Sequence, residues 1–213
     1  MAPEATGPAP AADSYRQPRA RAETEIKVKG SRFLAVALPV TDSVAARDAI
    51  ASIKKRHHDA THHCSAWLTG PDAREFRHDD DGEPSGSAGL PILRQIDASG
   101  LVNVIVVVTR WFGGTKLGTG GLARAYGDAA RAVLGAVEAE ECVLRTPFLL
   151  EFPFEDTSPA MHALSRFDVR ILETRYGTGT SMEVAIRRSQ ADAFEAAWVE
   201  ALRGRGPIVR ISP

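Results

Sequence analysis

The stretch that decides the fold runs from Leu101 to Tyr126 and reads LVNVIVVVTRWFGGTKLGTGGLARAY. Its first nine residues are mostly apolar and β-branched, which is typical of a buried strand. Leu122 to Val137 is alanine-rich, with apolar residues at helical spacing. Between the two lie five glycines in nine positions, from Gly113 to Gly121. The stretch therefore predicts a strand, a glycine-rich loop and a helix.

The glycine-rich loop is a candidate anion site. Glycine allows a close backbone approach, and a helix start presents unpaired N–H groups with a partial positive charge. Lys116 and Arg124 add full charges, while Trp111, Phe112 and Tyr126 offer rings for base stacking. The candidate anion-binding or nucleic-acid-binding residues are Arg110, Gly113, Gly114, Lys116, Gly118, Gly120, Gly121, Arg124 and Tyr126.

Two nucleotide-binding motifs fail at this loop. A P-loop needs Lys after its second glycine, but Thr119 and Gly120 follow Gly118. Gly118, Gly120 and Ala123 match the spacing G-x-G-x-x-G/A, yet they begin too late after the strand, and no acidic residue ends a following strand. No nucleotide cofactor is therefore expected, and a purely structural loop stays open as an alternative.

Length and composition limit the function classes. The chain has 213 residues, 44% of them hydrophobic, and a net charge of -1, so it can fill real cores but lacks the basic body of a strong non-specific nucleic-acid binder. Cys64 and Cys142 lack CxxC spacing, which argues against a disulfide scaffold or a zinc finger. We find no signal-peptide or membrane-span pattern and expect a cytoplasmic protein.

The pattern along the chain predicts an α+β protein with a tail and two domains. Residues 1–20 are rich in Ala and Pro and are expected to be a disordered tail. Residues 21–140 are expected to form a first domain, an α+β layer with a helix after a central strand. Residues 141–213 predict the order β-α-β-β-α-β of a ferredoxin-like unit, with a hairpin at Gly177-Thr178-Gly179 and a helix capped by Ser189.

A second polar loop spans residues 72–89 and contains the motif Asp80, Asp81, Gly82, Glu83, Pro84 and Ser85. Clustered carboxylates can bind hard cations, but Gly82 stands at position 4 of an EF-hand frame that starts at Asp79, and Leu90 occupies position 12. Ser85 lies outside any G-x-S-x-G elbow, and the histidines around Cys64 lack a closing fourth zinc ligand. We expect no metal, no cofactor and no catalytic residue.

Four segments resemble the IMPACT family, in particular its bacterial YigZ-type members. They are KGSRFLA from Lys29, HHCSAW from His62, DDGEPSGSAGLPIL from Asp80, and NVIVVVTRWFGGTKLGTGGLARAY from Asn103. The resemblance implies a first domain that is similar to the fourth domain of elongation factor G, with a mixed sheet and helices on one face, and a ferredoxin-like second domain. It also implies a role in translation, because the eukaryotic members regulate it through a partner.

Three hypotheses follow. The first is a non-catalytic, translation-associated protein whose first domain binds RNA, the ribosome or another polyanion, with a translation-machinery protein as a further partner and no membrane. The second is an enzyme for a small phosphorylated or acidic substrate, with the carboxylates of the acidic loop facing Lys116 and Arg124 across one cleft. The third is a structural arrangement in which the two loops only brace one another.

Overall fold

The computed structural model describes residues 13–71 and 74–211, which form two compact units. The larger unit comprises residues 15–142, and the smaller unit comprises described residues 13–14 and 143–211. Each has its own hydrophobic core, and the fold is mixed α+β. Among the helices of the described residues, none is long and apolar enough to cross a membrane.

The larger unit contains ten elements in chain order: β1 (Ser14–Pro18), β2 (Ala22–Val28), β3 (Ser31–Pro39), α1 (Ser43–Arg56), β4 (His62–Thr69), β5 (Glu75–Asp79), α2 (Gly89–Ser99), β6 (Val104–Trp111), α3 (Gly118–Gly135) and β7 (Ala139–Val143). Five strands form a sheet in the order β2-β3-β6-β4-β5, and every neighbouring pair is antiparallel. The prediction of a mixed sheet is therefore wrong. The apolar run after Leu101 forms the central strand, β6, as expected.

Helices cover both faces of this sheet, so the prediction of helices on one face is also wrong. Successive side chains of a strand point to opposite faces of the sheet, and in β3, β4 and β6 the side chains on both faces are mostly apolar. α2 and α3 pack on the face that holds Phe33, Cys64 and Val106. α1 packs on the other face, through Ala46 and Ile53 against residues such as Trp67 and Val107.

α1 begins with a side-chain cap. Asp42 has extended backbone angles, and its carboxylate accepts hydrogen bonds from the N–H groups of Val44 and Ala45, which is the geometry of an N-cap. Val44, in the first turn, is exposed.

Three further predictions need correction in the larger unit. Residues 14–18 are not part of a tail, because β1 pairs with β7; residues 1–12 lie outside the described residues. The polar stretch 72–89 is not all loop, because Glu75–Asp79 pairs with β4 as an edge strand. Gly118, Gly120 and Gly121 lie in the first turn of α3, so the loop proper ends at Leu117.

The smaller unit follows the predicted element order. It contains β8 (Arg145–Phe152), α4 (Thr157–Ser165), β9 (Val169–Tyr176), β10 (Thr180–Arg187), α5 (Ala191–Ala201) and β11 (Ile208–Arg210). The sheet order is β11-β8-β10-β9, and both helices contribute to a core with Phe148, Phe194 and Trp198. Ser189 does not cap α5, because its N–H and hydroxyl both bond to the carboxylate of Asp13.

Candidate functional site

The acidic loop is organised around the Asp80 carboxylate. Its oxygens accept hydrogen bonds from the N–H groups of Gly86 at 2.7 Å, Ala88 at 2.9 Å and Gly89 at 2.7 Å, which holds the loop against the start of α2. Burial alone would raise the pKa of Asp80, but these three N–H groups favour the ionised form and lower it overall. The Asp80 carboxylate therefore stabilises the loop, and its oxygens are already bonded to backbone N–H groups.

Backbone geometry also fixes the acidic loop. Asp81, Gly82 and Gly86 have φ values of 43°, 86° and 73°, in the left-handed region that favours glycine. A Cβ on Gly89 would lie 2.7 Å from the backbone nitrogen of Asp79, so glycine is required where α2 begins beside β5. The loop is a tight, preorganised turn.

The Asp81 carboxylate turns toward α1 and β4. It accepts hydrogen bonds of 2.6 Å from Lys54 Nζ and 2.6 Å from the backbone N–H of His63. Burial raises the pKa of Asp81, but Lys54 and the His63 N–H outweigh that effect and lower it. The second acidic side chain of the motif is therefore also paired within the protein.

The Glu83 carboxylate is the centre of a buried polar cluster. Its Oε1 accepts hydrogen bonds from Arg110 at 2.6 Å and from the Tyr126 hydroxyl at 2.7 Å. The side chains of Glu83 and Arg110 are only 4% and 6% exposed, and Tyr126 is fully buried, so burial raises the pKa of the Tyr126 hydroxyl. This cluster ties the acidic loop to β6 and α3.

Cys64 lies beside the same cluster as an inert thiol. Its Sγ donates a hydrogen bond of 3.0 Å to the backbone oxygen of Asp80. The residue is fully buried, and burial raises the pKa of the thiol far above its usual value. Because the thiolate is the reactive form of cysteine, this geometry does not support a nucleophile.

The glycine segment begins with a close approach between two turns. A Cβ on Gly113 would lie 1.8 Å from the backbone carbon of Gly30, in the turn between β2 and β3, so no other residue fits there. The N–H of Gly113 donates to the Ser31 hydroxyl, and the N–H of Phe112 donates to the Thr61 hydroxyl. These contacts fix the chain where it leaves β6.

The next residues present an uncapped helix start to solvent. Gly114 and Gly118 have φ values of 86° and 69°, and α3 begins at Gly118 with no side-chain cap and no acidic residue in its first turn. The positive end of the helix is therefore uncompensated. Lys116 and Arg124 are exposed on either side of this first turn.

Comparisons with known proteins place this geometry in a family. The model described as the Impact N-terminal domain matches residues 29–134. The IMPACT family member YigZ of Escherichia coli (strain K12) is 33% identical over 202 residues, which cover 93% of this chain and 98% of that protein. The chain belongs to the IMPACT family.

One further relative and one solved structure also align with nearly the whole of this chain. The IMPACT family member YvyE of Bacillus subtilis (strain 168) is 32% identical over 195 residues, covering 92% of this chain and 90% of that protein. A solved structure described as the crystal structure of an hypothetical protein aligns with a TM-score of 0.70 at 30% identity, covering 94% of this chain and 98% of that one.

The structure separates the predicted anion-binding residues of this IMPACT family protein into two groups. Arg110 and Tyr126 are buried and bonded to Glu83, so the prediction that they reach a ligand is wrong. Trp111 donates its indole N–H to Asp59, and the Arg32 guanidinium lies 3.7 Å from its ring centroid, which occupies one face. The predicted residues that remain exposed are Gly113, Gly114, Lys116, Gly118, Gly120 and Arg124; Gly121 is partly buried.

In residues 13–71 and 74–211, the carboxylates of the acidic motif make no direct contact with Lys116 or Arg124, the two cations that the enzyme hypothesis places across one cleft from them. Within the described residues, no hydrogen bond or ion pair joins Asp80, Asp81 or Glu83 to Lys116 or Arg124, and each carboxylate has another partner. Pro84 and Ser85 lie exposed on the turn, and the Pro84 carbonyl accepts a bond from the Ser87 hydroxyl. The part of the chain that is described holds no group of three or more His, Cys, Asp or Glu able to bind a metal ion.

Sequence reasoning missed several partners of these loops. Gly30, Ser31, Lys54 and Thr61 each contact one of the two motifs, although they lie far away in sequence. One signal was present: Lys29-Gly30 between two apolar runs indicates a tight hairpin, which could have marked a site of close backbone approach.

Arg124 also lines a groove between α2 and α3. The groove has a volume of about 210 Å³, and Arg94 and Gln95 from α2 line it together with Ala123, Arg124 and Gly127 from α3. Arg94 and Arg124 are both exposed, and neither forms an ion pair with a described residue. The exposed cations of Lys116, Arg124 and Arg94 therefore extend from the start of α3 onto the helical face.

Proposed function

We propose that this IMPACT family protein acts in translation and binds an extended polyanion, most simply RNA, through the larger unit. The proposed contact surface, called here the α3 surface, consists of Arg94, Phe112, Gly114, Lys116, the first turn of α3 and Arg124. A translation-associated role implies a cytoplasmic location, with the ribosome or a translation-machinery protein as further proposed partners.

The main support for this proposal is the uncompensated positive charge at the N-terminus of α3. Its free N–H groups and partial positive charge lie between the exposed side chains of Lys116 and Arg124, with no acidic residue in the first turn. Phe112, next to this turn, is 48% exposed, and its ring could stack on a base. Backbone donors, separate cations and one aromatic ring suit the repeated phosphates of a single strand.

The extent of the exposed cations favours a polymer over a small ligand. Lys116 precedes α3, Arg124 lies on its second turn, and Arg94 lies across the groove on α2. The phosphates of a nucleic acid are spaced along its backbone, so a surface with separated cations matches them one by one. The groove itself is shallow and mixed in character, which does not suit a tightly enclosed substrate.

The bracing hypothesis accounts for the buried residues only. Glu83, Arg110 and Tyr126 hold the two loops together, and Asp80 and Asp81 hold the acidic turn. Bracing supplies no partner for the exposed Lys116 and Arg124. We therefore propose that the buried cluster stabilises the two loops and that the exposed cations bind the polyanion.

The domain-level resemblance is part of the same proposal. From the family resemblance we assign the larger unit to the type of the fourth domain of elongation factor G, with an antiparallel sheet covered on both faces in place of the expected mixed sheet. We assign the smaller unit to the ferredoxin-like type. The sheet order β11-β8-β10-β9, with two helices contributing to one core, supports the second assignment.

Binding of a single-stranded RNA oligonucleotide across a salt series tests the proposal. In Lys116→Glu, Arg124→Glu, we expect weaker binding at low salt and a logarithmic salt slope that is shallower by about 1.4, or about 0.7 for each lost phosphate contact on a single strand.

The control is Arg166→Glu, Arg170→Glu, which makes the same change in net charge at two exposed sites of the smaller unit. The wild-type slope should persist in this control. Absence of RNA binding at low salt, or an equal loss in both double variants, would refute the assignment to the α3 surface.

A further inference from the structure

A separate cavity lies on the opposite face of the large sheet, beneath α1. Its volume is about 180 Å³, and it is lined by Ser43, Arg47 and Ile50 from α1 and by residues of β4 and β5. α1 packs on the face away from α2 and α3, so the cavity and the α3 surface lie on opposite sides of the sheet. The acidic and glycine-rich motifs do not account for it.

Two largely buried residues of β4 line this cavity with polar groups that have no partner among the described residues. Ser65 and Trp67 are 3% and 5% exposed and lie two residues apart on β4, so they share the face toward α1. Within residues 13–71 and 74–211, the Ser65 hydroxyl and the Trp67 indole N–H form no hydrogen bond. Both residues line the cavity, so these two donors are available to a ligand that enters it.

The rim supplies charge of both signs. Arg77 pairs with Trp67 and Asp79 pairs with Ser65 across the antiparallel ladder, which brings both residues to the cavity face. Arg47 approaches from α1, and neither Arg47 nor Arg77 has an ion pair with a described residue. One Asp79 oxygen accepts the N–H of Asp81, and the carboxylate has further acceptor capacity.

We propose that this cavity binds a small organic oxyanion, a phosphate monoester or carboxylate that also carries a hydroxyl group. Two guanidinium groups, one hydroxyl and one indole N–H match the acceptor oxygens of such an anion. Asp79 accepts from the ligand hydroxyl, while Ile50 and Trp67 contact its carbon atoms. The cavity is smaller than the 300–1,000 Å³ usual for drug-sized ligands, which excludes a dinucleotide.

Titration of the full chain, followed by the backbone amide resonances of β4, tests the site. The probes are glycerol 3-phosphate, glycerate and inorganic phosphate at matched ionic strength, so that phosphate, carboxylate and the hydroxyl-bearing part are distinguished. We expect saturable shifts at Ser65 and Trp67, with one hydroxyl-bearing probe binding more tightly than inorganic phosphate. Shifts that rise linearly with every probe overturn the proposal.

Variants separate a built site from general charge attraction. Arg47→Gln and Arg77→Gln should each weaken binding about tenfold, the effect of losing one charge-assisted contact. Arg56→Gln, on the exposed end of the same helix, should leave binding unchanged. Equal effects of all three substitutions would overturn the site.

Ser65→Ala provides a second test that does not depend on charge. The hydroxyl has no protein partner, so its removal should leave the fold intact and weaken binding of the hydroxyl-bearing probe. The Lys116→Glu, Arg124→Glu variant should retain probe binding, because those residues lie on the other face. Unchanged affinity in Ser65→Ala would contradict the proposed orientation of the anion toward β4.

Discussion

Glu83→Gln probes the buried cluster directly, because it removes a negative charge with almost no change of shape. The Arg110 side chain is 6% exposed, and its Nε already has no hydrogen-bond partner, so the guanidinium depends on Glu83 for compensation. Removing one partner of a buried pair generally costs about 3–5 kcal/mol. A Gln oxygen can still accept from Tyr126, so we expect about 3 kcal/mol, at the lower end of that range.

Urea unfolding followed by amide resonances measures this loss in each unit separately. Resonances of β3 and β6 should report the loss, while those of β10 in the smaller unit should keep their midpoint. Asp97→Asn is the matched control, because it breaks the exposed Arg74–Asp97 pair, whose side chains are 56% and 49% exposed. Exposed pairs contribute about 0–1 kcal/mol. An equal, small effect of the two substitutions would refute the view that Glu83 compensates a buried charge.

The double variant Glu83→Leu, Arg110→Met distinguishes a missing charge partner from a missing side chain. Both charges are then absent, and apolar side chains fill the space they leave. Replacement of a buried ion pair by apolar residues is often neutral or stabilising. We expect the double variant to be more stable than Glu83→Gln; equal or lower stability would indicate that packing around Glu83 dominates.

Two further predictions concern the loops. Gly113→Ala should destabilise the larger unit by about 1–3 kcal/mol in urea unfolding, because its Cβ would meet the Gly30 backbone. Gly120→Ala has no atom within 4 Å of its Cβ and should stabilise the unit by up to about 1 kcal/mol. The opposite order of the two effects would contradict the close approach. Asp80→Asn should cost about 2 kcal/mol at pH 7, since it loses charge-assisted bonds from backbone N–H groups. The pKa of Asp80 is lowered in the folded state, so its stabilisation is complete above the unfolded pKa near 4 and is lost as pH falls through the folded value. The difference between wild type and Asp80→Asn should therefore shrink in urea titrations below about pH 4, and a constant difference would contradict this role.

Local signals predicted the elements well where one interaction dominates. The run before the glycines formed the central strand, and the Gly177-Thr178-Gly179 hairpin joined β9 and β10 at the expected residues. The cap of α1 is equally local, because the Asp42 carboxylate accepts N–H groups only two and three positions away. These features are encoded within a few neighbouring residues.

Predictions failed where a distant segment supplied the partner. Residues 14–18 have a composition typical of a tail, yet β7 provides the ladder that orders them. Ser189 has the right type and position for a cap, but Asp13 takes both its N–H and its hydroxyl. Apolar residues on both faces of β3, β4 and β6 were the sequence signal for helices on two sides, and it outweighs the one-sided arrangement that the resemblance implied.

The glycine segment illustrates why residue type alone did not assign roles within the site. Arg110 and Arg124 are both cations beside the same glycines, but the position of Arg110 on β6 places it beneath the acidic loop, where Glu83 compensates it. Arg124 lies on the exposed side of α3 and has no ion pair with a described residue. Because a compensated, buried cation cannot release counterions from a nucleic acid, only Lys116 and Arg124 can contribute to the salt dependence of RNA binding at this segment. In a Glu83→Gln variant that is still folded, Arg110 remains buried beneath the acidic loop, so the wild-type salt slope should be retained.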